Sequence, residues 1–103
     1  LIYSYDFAKI LIMILFEYKS KKPINCCNDE ISIKDLTFLI GKFSEFDISK
    51  IKIDESKPEG CFRKTVDGSY FNEIFPNFKY TKLEDGLFDT IKWFNENYEK
   101  LRK

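Results

Sequence analysis

The stretch TKLEDGLFDTIKWFNENYEKL, residues 81–101, decides the architecture, because its helical reading rests on two independent signals. Thr81 and Glu84 have the T-x-x-E spacing of a capping box, in which a hydroxyl and a carboxylate each satisfy a free backbone amide at a helix start. Leu83, Leu87, Ile91, Phe94, Tyr98 and Leu101 then recur at steps of three and four, so one face is apolar and the helix is expected to run nearly to the end of the chain.

Working back from that helix, SKPEGCFRKT (residues 56–65) reads as a loop. Pro58 presets one backbone angle and Gly60 tolerates the exit. After it, Asp67 or Ser69 is placed to cap a short helical turn before Pro76. Upstream, Ile48 to Asp54 alternates Ile48, Lys50, Lys52 and Asp54 against Ser49, Ile51 and Ile53, the pattern of a half-buried strand apart from Ile48. Ser32 is positioned to cap a second helix, with Asp35 in its first turn and Leu36, Leu39, Ile40 and Phe43 inward; Gly41 weakens it. Pro23 to Cys27 is short and apolar enough for a buried strand that Asn28 and Asp29 end. At the front, Ile2 and Tyr3 read as the end of a strand and Asp6 to Tyr18 as a helix, with Phe7, Ile10, Leu11, Ile14, Leu15 and Tyr18 at helical spacing. Ile12, Met13 and Phe16 extend that apolar face around most of the circumference, so the helix needs cover on more than one side. The fold expected is α/β, with three main helices and two or three short strands.

Composition narrows the function. A chain of 103 residues supports one small domain with a core. Lys plus Arg and Asp plus Glu each number 17, so no overall field favours nucleic acid or an anionic membrane. The apolar run from Ile10 to Phe16 is bounded by Lys9 and Glu17, far short of the about 20 residues of a membrane span. Cys26, Cys27 and Cys61 make neither an even disulfide set nor a CxxC metal pair, and read as reduced structural thiols. Cys26 and Cys27 cannot both point inward from one extended segment. Leu1, in place of Met, and the structured reading of LIYSYDF lead us to expect that the chain begins inside a longer protein.

No Gly-rich phosphate loop, no GxSxG elbow and no His-containing triad or metal set can be written from these residues, so no catalytic, cofactor-binding or metal-ligating residue is assigned. Tyr5 with Lys9, and Tyr18 with Lys22, have the four-residue spacing of a proton-shuttling pair. Without a nucleotide loop to place a cofactor beside them, they read as packing and surface residues. The loop around Pro58 is where composition points to a ligand. Lys57, Arg63 and Lys64 surround one carboxylate, Glu59, an excess of cations able to hold a diphosphate while Glu59 accepts hydrogen bonds from hydroxyls or a base. The same composition also describes an ordinary solvated loop.

In order, IYSYDFAKILI (2–12), PINCC (23–27), EISIKDL (30–36), DESKPEGCFRKT (54–65) and LEDGLFDTIKWFNENY (83–98) resemble the last third of GDP-L-fucose synthases, a family of extended short-chain dehydrogenase/reductases. The resemblance covers essentially the whole chain. It implies that residues 1–103 are a C-terminal sugar-nucleotide-binding domain, the smaller α/β lobe that packs on a Rossmann domain absent from this chain. That missing domain would bind NADPH and carry the family's catalytic Ser, Tyr and Lys and its epimerising Cys and His; this chain would bind no cofactor and be inactive alone. By the same likeness Glu59 falls where the family usually has an Asp touching the nucleotide, and Arg63 with Lys64 on its basic pair near the phosphates. Glu in place of Asp moves the charge outward by one methylene, and Phe62 stands where many members have Pro. The parent protein is expected to be cytoplasmic and homodimeric, to act on a GDP-sugar and to bind neither nucleic acid nor membrane. The competing readings are the same lobe of another sugar-nucleotide epimerase or reductase, and a non-catalytic interaction module docking through its first helix.

Overall fold

The computed structural model describes residues 1–58, 60–61 and 63–101. Four α-helices follow one another in it: α1 (Ser4–Glu17), α2 (Ile33–Phe43), α3 (Ser69–Ile74) and α4 (Leu83–Asn97), with single 3-10 turns at Ile48–Lys50 and Tyr98–Lys100. No β-strand occurs among the described residues, so the expected two or three strands are corrected to none. Extended backbone is present at Tyr3, with φ −73° and ψ 137°, but a strand also needs a ladder beside it. Among the described residues the stretch before α2 pairs its backbone with Leu1 and forms no ladder. The Asn28 amide donates to the Leu1 carbonyl at 3.2 Å, and the Leu1 amine donates to the Asp29 carbonyl at 3.0 Å. At Ile48–Asp54 a local competitor wins over the alternating pattern. The Asp47 carboxylate accepts from the Ser49 amide at 3.1 Å and from its hydroxyl at 2.7 Å, winding Ile48–Lys50 into a 3-10 turn.

The chain divides into two compact units, Leu1–Glu30 with Cys61–Thr81, and Ile31–Gly60 with Lys82–Lys103. In the first, Ile10 and Phe71 are fully buried and Phe75 nearly so, and Ile24, Cys26, Phe78 and Tyr80 pack around them. Phe71 meets Phe78 edge-on at 5.6 Å, and Phe78 meets Tyr80 edge-on at 5.0 Å, the geometry that ring quadrupoles favour. α1 contributes a narrow stripe to this core. Asp6 and Ile10 are buried on it and Met13 and Ile14 half-buried, whereas Phe7, Leu11 and Leu15, expected inward, face solvent.

Asp6, 1% exposed, is the one buried charged group among the described residues, and each of its oxygens has a donor. The Thr81 amide donates to Oδ2 at 2.7 Å and the Thr81 hydroxyl to Oδ1 at 2.9 Å. This overturns the capping-box reading of Thr81. α4 starts at Leu83 with Lys82 at its N-cap and no side-chain cap, because the Thr81 hydroxyl is committed to Asp6. Glu84 and Asp85 remain in the first turn, where their charge suits the helix dipole. Burial, with Cys26 and Cys27 alongside, pushes the Tyr80 hydroxyl up to about 12.

In the second unit α2 begins as its sequence requires. The Ser32 hydroxyl accepts from the Asp35 amide at 3.0 Å and donates to the Asp35 carboxylate at 2.6 Å. α2 packs on α4 within this unit, with Phe43 and Phe88 edge-on at 6.2 Å. Gly41, expected only to weaken α2, has a packing reason. A Cβ there would stand 3.3 Å from Ile51 Cδ1 and 3.6 Å from Ile48 Cγ1, so the bare backbone admits the segment after the 3-10 turn. Leu83, Leu87 and Ile91 of α4 are half-buried, while Phe94 and Tyr98 further along the same stripe are exposed.

Candidate functional site

The candidate site is the part of the basic loop that lies in the first unit, from Cys61 to Gly68. Its far end is pinned on Cys27. The Cys27 thiol donates to the Val66 carbonyl at 3.0 Å, and Gly68 lies so close that a Cβ on it would stand 2.7 Å from Cys27 Sγ. Cys26 turns the other way, onto the Ile10–Phe71 core, as alternation along an extended segment requires. Burial raises the Cys26 thiol above its ordinary value, with the neighbouring Cys27 adding to it.

Nearer the loop's start, Arg63 Nε donates to Glu30 Oε1 at 2.9 Å and Nη2 donates to Oε2 at 2.8 Å. The pair is bidentate and stands in solvent, with the two side chains 68% and 52% exposed. Arg63's hydrogen bond holds the Glu30 carboxyl below the usual carboxylate range, and Glu30 in turn raises Arg63. A guanidinium carries five N–H groups in a rigid plane. Glu30 takes one edge of it, and the remaining hydrogens, on Nη1 and on the far side of Nη2, form a second fork directed away from Glu30. Lys64 follows, exposed.

Asp54 and Asp67, two other carboxylates within ten residues of Arg63, are engaged locally. Asp54 accepts from the Ser56 amide at 3.0 Å and from the Ser56 hydroxyl. Asp67 accepts from the Ser69 amide at 2.9 Å, which tightens the entry to α3. These contacts hold both carboxyls below the usual range. Lys57 is exposed and belongs to the second unit. Glu59 and Phe62 lie outside the described residues. Of the three residues singled out from sequence, the structure thus describes Arg63 and Lys64, and it adds Glu30, which sequence reasoning missed.

The two Tyr/Lys pairs are packing contacts. The Tyr18 hydroxyl donates to the Lys22 carbonyl at 2.7 Å, while the Lys22 ammonium sits 3.9 Å over the centre of the Tyr70 ring. The amine and the Tyr18 hydroxyl are therefore not arranged as a proton shuttle. Tyr5 is 68% exposed and leans on Tyr3, with ring centres 5.5 Å apart.

No protein-family model matches the chain. It is homologous along nearly its whole length to proteins named GDP-L-fucose synthase. It is 34% identical over 105 residues to the one from Dictyostelium discoideum, an alignment covering 99% of this chain and 32% of the relative. To the probable GDP-L-fucose synthase of Drosophila melanogaster it is 30% identical over 105 residues, with the same coverage of 99% and 32%. A GDP-L-fucose synthetase from Naegleria fowleri superposes with a TM-score of 0.90 at 35% identity, over 99% of this chain and 32% of that one. The same enzyme bound to NADP superposes at 0.93 with 36% identity and the same coverage of 99% and 32%. The chain spans about a third of the length of the relatives it matches.

Proposed function

We propose that this homologue of the GDP-L-fucose synthases is the carboxy-terminal, sugar-nucleotide-binding lobe of such an enzyme. The parent would convert GDP-4-keto-6-deoxy-D-mannose to GDP-L-fucose by 3,5-epimerisation and NADPH-dependent 4-reduction. The observation that carries this reading is the end-to-end homology with one third of these enzymes, together with the close superposition on one that holds NADP.

The residues of this chain do not fit a dinucleotide loop. Gly41 and Gly86 lie inside helices and Gly68 is packed on Cys27. NADPH, which supplies the hydride when bound, is assigned to the two thirds of the parent that this chain does not span. What this chain contributes is grip on the substrate. The open fork of Arg63 and the Lys64 ammonium face the diphosphate, and Glu59 faces the nucleoside. α1 leaves Leu11, Ile12, Leu15 and Phe16 in solvent, and we assign that face to contact with the Rossmann part of the parent. The parent is read as a cytoplasmic homodimer. No helix among the described residues is long and apolar enough to cross a membrane.

The test is made in the full-length parent, by measuring dissociation constants for GDP-, UDP- and dTDP-sugars in the wild type and in Glu59→Ala, Arg63→Ala and Lys64→Ala. GDP-sugars should bind tightest, and loss of one charge-assisted contact should weaken them by about tenfold to a hundredfold. Melting should not change in Arg63→Ala and Lys64→Ala, since both side chains stand in solvent. Preference for a UDP- or dTDP-sugar would move the parent to another epimerase or reductase. The isolated chain should consume no NADPH with GDP-4-keto-6-deoxymannose, and turnover by it would overturn the assignment of the chemistry to the rest of the parent.

A further inference from the structure

We infer that Glu30 is a positioning residue for the nucleotide diphosphate, holding the Arg63 guanidinium so that its second fork is presented to the ligand. The inference rests on the diphosphate reading of Arg63 and goes beyond it, because Glu30, which opens the EISIKDL stretch, has no assigned part in binding.

The geometry separates Glu30 from the many surface carboxylates of the chain. It engages Arg63 through both oxygens, at 2.9 and 2.8 Å, across 33 residues of sequence. The backbone that carries it is itself tied down. The Asn28 side chain donates to the Thr81 carbonyl at 3.1 Å, the Asn28 amide to Leu1 at 3.2 Å, and the Leu1 amine to Asp29 at 3.0 Å. Thr81 in turn is held by buried Asp6. A chain of contacts therefore runs from the core through residue 81 to the segment that ends in Glu30, and Glu30 passes that order to Arg63.

An exposed ion pair adds little to stability, because it orders two long side chains in a solvent that screens them. For a binding site that ordering is useful. An arginine ordered before the ligand arrives does not lose its rotamer freedom at the moment of binding. Glu30 leaves the guanidinium one occupied edge and one open fork, and the open fork has the shape that accepts two phosphate oxygens in parallel. Lys64, next in sequence, adds a second cation without a directional requirement. A carboxylate close to a phosphate site also repels the ligand, and in solvent that repulsion is weak and screened. The sign of the net effect is therefore set by ordering, and removing the carboxylate should weaken binding.

The experiment uses the full-length parent with GDP and guanosine as probes, in the wild type, Glu30→Gln, Arg63→Ala and the double variant. Glu30→Gln keeps the size of the side chain but replaces one acceptor oxygen by a donor, which breaks the bidentate pairing. GDP affinity should fall by about twofold to tenfold, the scale of ordering one long side chain at binding. Guanosine affinity, kcat and the melting temperature should stay as in the wild type, so that the defect is confined to KM. In the Arg63→Ala background Glu30→Gln should have no further effect. If Glu30→Gln leaves GDP affinity unchanged or tightens it, while Arg63→Ala weakens it, the positioning role is overturned and the diphosphate reading stands. A matched loss of guanosine and GDP affinity with a lowered melting temperature would make Glu30 a structural residue and also overturn it. Unchanged GDP affinity in Arg63→Ala would overturn the diphosphate reading and the inference with it.

Discussion

Gly68 is a position where one methyl group decides how a loop sits. Its φ of −100° is open to any residue, so the constraint is space. A Cβ would stand 2.7 Å from Cys27 Sγ, 3.5 Å from the Cys27 carbonyl oxygen and 3.6 Å from its amide nitrogen. Gly68→Ala should therefore destabilise the protein by about 1–3 kcal/mol, the range for forcing extra volume into a packed contact. Cys27→Ala removes the overlapping sulfur, so the double variant should be less destabilised than the sum of the two singles. Urea denaturation of all four proteins measures this, and strict additivity would mean that the new methyl finds room elsewhere. Residue-scale facts of this kind were only partly legible beforehand. That Arg63 and Lys64 form a local excess of cations follows from composition, but the partner of Arg63 sits 33 residues upstream, and no local spacing rule connects positions 30 and 63. Two carboxylates nearer in sequence, Asp54 and Asp67, are engaged by Ser56 and Ser69 instead, through short Asx contacts that give no periodic signal. Asp6 was readable as a residue in the first helix, while its burial depends on Thr81, 75 positions away.

At the scale of elements, what the chain does alone was readable and what it does in company was not. A helix satisfies its own backbone, so Ser32 followed by Asp35 and a stripe of apolar residues was sufficient to place α2. Its cap is a real contact, and Ser32→Ala should lower stability by about 1 kcal/mol, the usual value of a lost N-cap hydroxyl. Ser32→Asn or Ser32→Asp should restore most of it. A thermal melt of the three variants checks this, and a Ser32→Ala protein as stable as the wild type would mean that water replaces the hydroxyl without loss. A strand, by contrast, is completed by another segment. Pro23 to Cys27 has the composition and the alternation of a strand, and Cys26 and Cys27 do face opposite ways, yet no ladder forms beside it among the described residues. Thr81 shows the same limit at a helix end. The T-x-x-E pattern was correct about where α4 begins to within two residues, and wrong about the cap, because a distant buried carboxylate holds the hydroxyl.

For the molecule as a whole, the informative feature is an apolar surface that the described residues leave in solvent. Leu15 and Phe16 of α1 are each 75% exposed, and Leu11 and Ile12 more than half, on a helix whose opposite side carries the buried Asp6 and Ile10. Apolar side chains grouped in this way on a soluble surface mark a place of contact or a liability to aggregate. The apolar run in the sequence predicts such cover, and the occupant we propose is the rest of the parent, since about two thirds of the relatives' length has no counterpart in this chain. The replacement of Leu15 by Lys together with Phe16 by Glu separates the two situations. In the isolated chain both side chains already face solvent, so the substitutions should change stability by within about 0.5 kcal/mol each. They should also abolish any concentration-dependent association seen by analytical ultracentrifugation. If the rest of the parent covers this face, as proposed, the same pair places two charges in a buried contact there, and the melting temperature should fall by several degrees, since unpaired buried charges cost several kcal/mol and each kcal/mol moves it by roughly 1–2 °C in a protein about three times as long as this chain. If the parent is the dimer proposed, loss of that dimer without a change in melting would show instead that a second copy covers this face. A parent that keeps its melting temperature, its dimer and its turnover with both charges present would mean that α1 faces solvent there too.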